Sequence, residues 1–259
     1  HQQALQMTTQ IKEAQLEIET VPLEAVVEPL RAVKSEDEVE KTRKALAIAE
    51  DAFEALRPRI RPGVTEKALA WELEKEIRSR GAEALSFPSI VAAGPNSALP
   101  HAVPTDRAVR AGEPILFDWG ARLNGYCSDT SRTVVAGGPD GRFRPIFEAV
   151  LTAMQHAIGV IKPGVSGKDV DAAAREHIKR AGYDGLFTHS LGHGTGLMVH
   201  EAPRLSHLKD EALEAGMIVT VEPGIYLSEW GGVRLENQVV VRAGGAEVLN
   251  RTDPGLWQV

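Results

Sequence analysis

Two aspartates, Asp118 and Asp129, flank Asn124-Gly125, the strongest short signal for a hairpin turn. If that dipeptide is a two-residue turn between strands at Pro114–Trp119 and Tyr126–Val135, Asp118 faces Ser131. Asp129 then lies diagonally beside Asp118 on the same face, within reach of one shared ion. Two carboxylates so placed repel unless a cation or a proton sits between them. Phe117, Trp119 and Val134 make the neighbourhood apolar, which leaves two readings, a shared cation or a pair of hydrogen-bonded structural aspartates.

Four of the eight histidines fall between 189 and 207, three of them in His189-Ser-Leu-Gly-His193-Gly-Thr-Gly-Leu-Met-Val-His200-Glu. Gly192, Gly194 and Gly196 keep the backbone bare around His193, as a close approach by a ligand or metal requires. Further on, Glu222 ends the apolar run Val219-Thr-Val, and Glu236 lies inside Val233-Arg-Leu-Glu-Asn-Gln-Val-Val. Strand alternation puts Arg234, Glu236 and Gln238 on one face, and the alternative there is an outward polar face with Arg234 pairing Glu236. Taken together, two Asp, two Glu and one His form an oxygen-rich, thiol-free set of five, more than a four-coordinate structural zinc uses. Such a set suits two ions about 3.5–4 Å apart that share bridging carboxylates. Oxygen-dominated ligation favours Mn²⁺ or Co²⁺, with Zn²⁺ as the alternative.

Helices must frame these strands. Ser35-Glu-Asp-Glu38 is a capping box that opens a helix over 36–57, ended by Pro58. Pro62-Gly-Val-Thr65 opens a second helix that closes at Gly81. The device recurs at an offset of 101, where Pro163-Gly-Val-Ser166 opens a helix ending at Gly182, preceded by another amphipathic helix at about 143–160. Two α+β halves related by a pseudo-twofold account for this, against the simpler reading that Pro-Gly-Val-(Ser/Thr) is a common helix entry. Met217–Glu222 and Val233–Val241 read as strands flanking a turn at Gly231-Gly232. The architecture expected is α+β, an antiparallel-rich sheet with helices on one side.

Residues 1–34, interrupted by Pro22 and Pro29, read as an arm or the remnant of a preceding domain, and 35–259 as the catalytic unit. A net charge of −7 argues against sequence-independent nucleic-acid binding, which needs a basic stripe. No apolar run is long enough to cross a membrane and no secretory pattern opens the chain, so a cytoplasmic setting is expected. The single cysteine, Cys127, excludes an internal disulfide framework and any cysteine-rich metal site.

Over roughly residues 30–250 the sequence resembles the pita-bread metallopeptidases, which include methionine aminopeptidase, prolidase, aminopeptidase P and creatinase. The resemblance is carried by Phe117–Thr133, by His189–Glu201, by Glu222-Pro-Gly and by Arg234-Leu-Glu236. It implies that Asp118, Asp129, His193, Glu222 and Glu236 bind two divalent metals, with Asp129 and Glu236 bridging. It further implies catalytic roles for Glu222 as base and for His101 and His200 as donors to developing charge, and substrate contacts for His189 and Arg234. The spacing of the three histidines, Val-His-Glu-Ala-Pro203 and Arg234 look like the proline-directed branch. The expected substrate is therefore a short peptide with a free N-terminus and proline second, and a homodimer is left open. The alternatives are an exopeptidase of methionine aminopeptidase or other dipeptide specificity, and a peptide-binding module whose catalysis has lapsed. Two departures stand out: Thr195, where the family has a bulky apolar residue, and Asn237, where an acid usually follows the ligand. Both adjoin ligand positions, so a shift in metal affinity or substrate range is expected from them.

Overall fold

The computed structural model describes residues 2–19, 21, 23 and 26–259. Helix α1 (Gln2–Glu13) and the short α2 (Glu28–Ala32) precede α3 (Glu36–Leu56) and α4 (Glu66–Ser79). The first-half strands are β1 (Ala84–Leu85), β2 (Ile90–Ala93), β3 (Pro114–Trp119), β4 (Ala121–Leu123), β5 (Tyr126–Cys127) and β6 (Thr130–Val135). The second half begins with α5 (Phe143–Val160) and α6 (Gly167–Arg180), then β7 (Gly192–Gly194), β8 (Glu201–Leu205), β9 (Ile218–Val221) and β10 (Gly224–Leu227). It ends with β11 (Gly231–Arg234), β12 (Asn237–Arg242) and β13 (Gly245–Val248). The sheets run β2-β3-β6 and β1-β4-β5 in the first half, β13-β12-β9-β7-β8 and β10-β11 in the second, with every ladder antiparallel.

Helix ends follow the chemistry of their caps. Ser35 accepts from Glu38 N–H while the Glu38 carboxylate accepts from Ser35 N–H, so two otherwise unpaired donors at the start of α3 are satisfied. Thr65 caps α4 through Ala68 N–H and Ser166 caps α6 through Asp169 N–H. The two helices match end to end at the offset of 101, as do the left-handed glycines Gly63 and Gly164 before them and Gly81 and Gly182 after them. The recurrence is therefore a structural repeat. Each half has its own core: Phe53, Leu69, Leu73, Phe117 and Trp119 in the first, Phe143, Phe147, Met154, Val219 and Leu235 in the second.

The Asn124-Gly125 turn sets the register of the first half. Both residues take positive φ, 50° and 81°, as a two-residue hairpin of the right twist requires. Asp118 pairs with Ser131 and Arg122 with Cys127 in one continuous register. Between those pairs the ribbon bends at Gly120, where a Cβ would overlap the Ser128 carbonyl.

The second half departs from the expected pattern at Gly231-Gly232. These glycines open β11 and form no turn; the hairpin turn is Ser228–Trp230, between β10 and β11. Glycine is required there because the backbone of Ser97 packs directly on Gly232 and leaves no room for a Cβ. The run 233–241 is likewise two strands: β11 pairs with β10, then the chain breaks at Leu235-Glu236 and β12 pairs with β9, Gln238 opposite Thr220.

The end of the N-terminal stretch docks on this sheet. Val33 bridges Met217, Lys34 N–H donates to Gly216 O (3.0 Å), and the Arg31 and Lys34 side chains both pair with Glu201. The Lys34 side chain is only 1% exposed, and burial pulls its pKa down against the pull of Glu201. Removing one partner from a buried ion pair strands the other charge. Glu201→Gln should therefore lower stability by about 3–5 kcal/mol, and adding Lys34→Met should recover part of that loss; urea midpoints of the two variants measure both.

Candidate metal centre

Asp118 and Asp129 come from the first half of the fold; Glu222 and Glu236 come from the ends of β9 and β11, and His193 from the middle of β7. Oxygens of Asp118, Asp129 and Glu236 lie within 4.8 Å of one another. His193 Nε2 stands 3.3 Å from Glu222 Oε1 and 3.6 Å from Asp129 Oδ2. Its Nδ1 lies 3.1 Å from Gly194 O, an acceptor, which places the proton on Nδ1 in the neutral ring and aims the Nε2 lone pair at the two carboxylates. A lone pair facing two anions demands a positive charge between them, either a proton or a metal ion.

The protein holds one oxygen of each flanking carboxylate and leaves the other bare. Arg234 Nη2 donates to Asp118 Oδ2 at 2.6 Å, and Ser131 Oγ donates to Glu236 Oε2 at 2.8 Å. Asp118 Oδ1 and Glu236 Oε1 are buried and have no hydrogen-bond partner. Buried polar atoms are almost always satisfied. Two orphaned oxygens in one cluster, near a ring nitrogen that faces only carboxylates, form a donor set that could hold a cation.

Electrostatics point the same way. Burial, then the charges of the neighbouring acids, push Asp129 and Glu236 well above the ordinary carboxylate range. Burial also raises Asp118, although Arg234 pulls against it. Glu222 is the exception: with a proton on His193 Nε2, 3.3 Å away, the ring's hydrogen bond and charge outweigh burial and hold the Glu222 pKa down at about 2. The four carboxylates lie near two buried guanidiniums, Arg234 on Asp118 and Arg132 on the Glu236 backbone, so among the described residues the acids outnumber the cations around them.

A sequence profile of metallopeptidase family M24 matches residues 40–243, which hold all of these groups. The chain belongs to metallopeptidase family M24. It is 42% identical over 234 residues to the Xaa-Pro dipeptidase of Pyrococcus furiosus, covering 90% of this chain and 67% of that protein. Among solved structures it is similar to the Xaa-Pro dipeptidase from Bacillus anthracis (TM-score 0.94, 40% identity, 98% of this chain and 71% of that one). An X-Pro aminopeptidase from Thermotoga maritima gives the same TM-score and identity, over 98% of this chain and 72% of that one. The chain thus spans about two thirds of the length of the relatives it matches. The fold is the pita-bread fold of the M24 prolidases, and the α+β architecture expected from the repeat is the one found.

Around the carboxylate cluster opens a cavity of about 530 Å³. Asp118, Asp129, His193 and Glu222 line its floor, while His101, His189, His200 and Arg234 line its walls. Glu236 lies beneath the floor and is 1% exposed. Arg234, 2% exposed, pairs with Asp118 and not with Glu236, so these residues do not form the outward polar face that was one reading of the sequence. The remaining donors of Arg234 go to Tyr226 Oη, Pro100 O and Ser131 Oγ. His189 Nδ1 faces Ser190 O, so its Nε2 accepts from Tyr226 Oη at 2.7 Å. Burial lowers the pKa of His200 to about 4, with His193 and Arg204 adding to it, so the ring is neutral at pH 7 and keeps a single N–H to donate.

Tyr226, Ser131 and Arg204 escaped sequence reasoning. Tyr226 reaches the site through tertiary packing, and although the hairpin register already put Ser131 opposite Asp118, its contacts to Glu236 and Arg234 are made only in the tertiary fold. Arg204 was within reach: alternation along Glu201–Leu205 puts it on the face opposite Leu205, towards the cavity that it lines.

Because Asp129 and Glu236 hold protons more tightly than ordinary carboxylates, a metal must displace protons to bind. Mn²⁺ added to chelator-stripped protein near pH 6.5 should therefore release protons, seen as a buffer-dependent calorimetric enthalpy. At a hundred times its dissociation constant it should raise Tm by about 5–10 °C. An unchanged Tm would remove the metal site.

Proposed function

We propose that the chain is a dinuclear metal-dependent exopeptidase that cleaves the N-terminal bond of short peptides with proline in the second position. The observation that carries this reading is the buried cluster of Asp118, Asp129 and Glu236, in which Asp118 Oδ1 and Glu236 Oε1 have no partner among the described residues and His193 Nε2 faces Asp129 and Glu222, in a chain 42% identical to an Xaa-Pro dipeptidase. Asp118, Asp129, His193, Glu222 and Glu236 would hold two divalent ions, with Asp129 and Glu236 between them. When bound, such ions lower the pKa of a water and polarise the carbonyl it attacks. Mn²⁺ or Co²⁺ suits so oxygen-rich a donor set.

The other steps fall to side chains. Glu222, ionised throughout the neutral range, takes the proton of the attacking water and hands it towards the leaving nitrogen. His200 and His101 donate N–H groups to the charge that develops on the scissile carbonyl and leaving group. His189, held by Tyr226, would contact the imide side of the substrate. Arg234 acts on the substrate through Asp118, whose orientation it holds. Asp118 and Glu222 make the floor acidic, a setting that suits a free α-ammonium group.

One observation favours a dipeptide over a longer substrate. Arg204 lines the cavity, and among the described residues its guanidinium has no carboxylate partner. The C-terminal carboxylate of a dipeptide would meet it, whereas a longer chain would carry that charge past it. Cys127, buried and unpaired, suits a reducing, cytoplasmic setting.

A panel of dipeptide, tripeptide and N-blocked peptides with Pro or Ala second, in Mn²⁺ and Co²⁺, tests the reading. Cleavage should be confined to free-amine substrates and be fastest for Xaa-Pro dipeptides; activity on N-blocked peptides would overturn the exopeptidase assignment. His200→Ala should cut kcat about 10²–10³-fold. Arg204→Met should raise KM for the dipeptide about tenfold, the weight of one charged hydrogen bond, while leaving the tripeptide unchanged.

A further inference from the structure

The Asp129 amide lies in the bend between β5 and β6, outside both ladders. It donates to Gln238 Oε1 at 3.1 Å, and Gln238 Nε2 donates to Thr195 Oγ1 at 2.8 Å. Thr195 and Gln238 are both fully buried. The three linked residues sit on three separate pieces of chain: Thr195 follows β7 and lies two residues past His193, Gln238 lies in β12 two residues past Glu236, and Asp129 is in the hairpin bend. An amide side chain can be turned either way, and only its partners decide which end faces where. With the Thr195 hydroxyl as acceptor, Nε2 is drawn to β7 and Oε1 is presented to Asp129. Without it, the buried Nε2 has no acceptor and nothing prevents a flip that would set donor against donor at Asp129. Gln238 is itself pinned, since its backbone N–H donates to Asn250 Oδ1 at 2.8 Å.

We propose that Thr195 and Gln238 act as one positioning unit that fixes Asp129 against Glu236 and His193, and that the hydroxyl at 195 is required because the amide at 238 is there. The inference rests on the metal-binding reading above.

The test is Mn²⁺ affinity by titration calorimetry on the full chain, with Tm recorded for each variant. Thr195→Val and Gln238→Met should each weaken Mn²⁺ binding about tenfold, the range seen when groups behind a metal ligand are removed. Thr195→Ser should stay within twofold of the wild type. The double variant should be no weaker than Gln238→Met alone, because Thr195 acts only through the amide. A merely structural role would lower Tm and leave Mn²⁺ affinity in place, which would overturn the proposal; so would a double variant weakened by the product of the two single effects. If Thr195→Val does not fold, Gln238→Met still decides whether the amide positions Asp129. A wild-type chain that takes up no Mn²⁺ would overturn the metal-binding reading and this proposal with it.

Discussion

Four carboxylates converge at the base of one cavity, and much of the surrounding structure answers the repulsion between them. Carboxylates stay ionised at close range only with cations between them or protons on some of them. The fold meets this with a division of labour in which Arg234 and Ser131 each hold one oxygen of a neighbouring acid, so that the other oxygens converge on a common space. Backbone placement does the rest: the acids sit at strand ends and bends, at Asp129, Glu222 and Glu236, where the chain can turn a side chain inward without breaking a ladder.

That arrangement explains why the two halves are cross-linked by polar contacts through their middle. The Ser131 hydroxyl accepts from Arg234 and donates to Glu236, and Thr133 Oγ1 both accepts from Arg234 N–H and donates to Arg234 O. Arg132 reaches Asn237 and Thr252 on the far side. All but the Thr252 contact, which goes to the C-terminal segment past β13, join β6 of the first half to the β11–β12 segment of the second. Separate apolar cores stabilise each half, while the seam is polar and directional, and it is the seam that sets distances between the acids.

Much of this was legible in the order of residues. The Asn-Gly dipeptide forces positive φ and so gives the Asp118–Ser131 register by counting, and paired Ser or Thr caps with trailing glycines mark the repeat. What was not legible has a common cause. Gly231-Gly232 looks like a turn because glycine serves turns and close backbone approach equally well, and only the position of Ser97 distinguishes them. The break at Leu235-Glu236 is invisible to alternation, since the pattern runs unbroken through it and the choice of partner strand is made by tertiary packing. Arg234 could be paired with Glu236 on paper because they share a face; in space Asp118 is the partner.

The anchoring of Arg31 and Lys34 on Glu201 bears on how this chain could be recombined with others. A splice at the capping serine, Ser35, looks clean in sequence, yet it would remove both cations from a carboxylate that also accepts the Met198 amide and closes the loop bearing His200. Chimeras that graft a foreign N-terminal part onto this catalytic scaffold therefore need their junction upstream of Glu28. A junction further downstream leaves the largely buried Glu201 carboxylate without either of its cations.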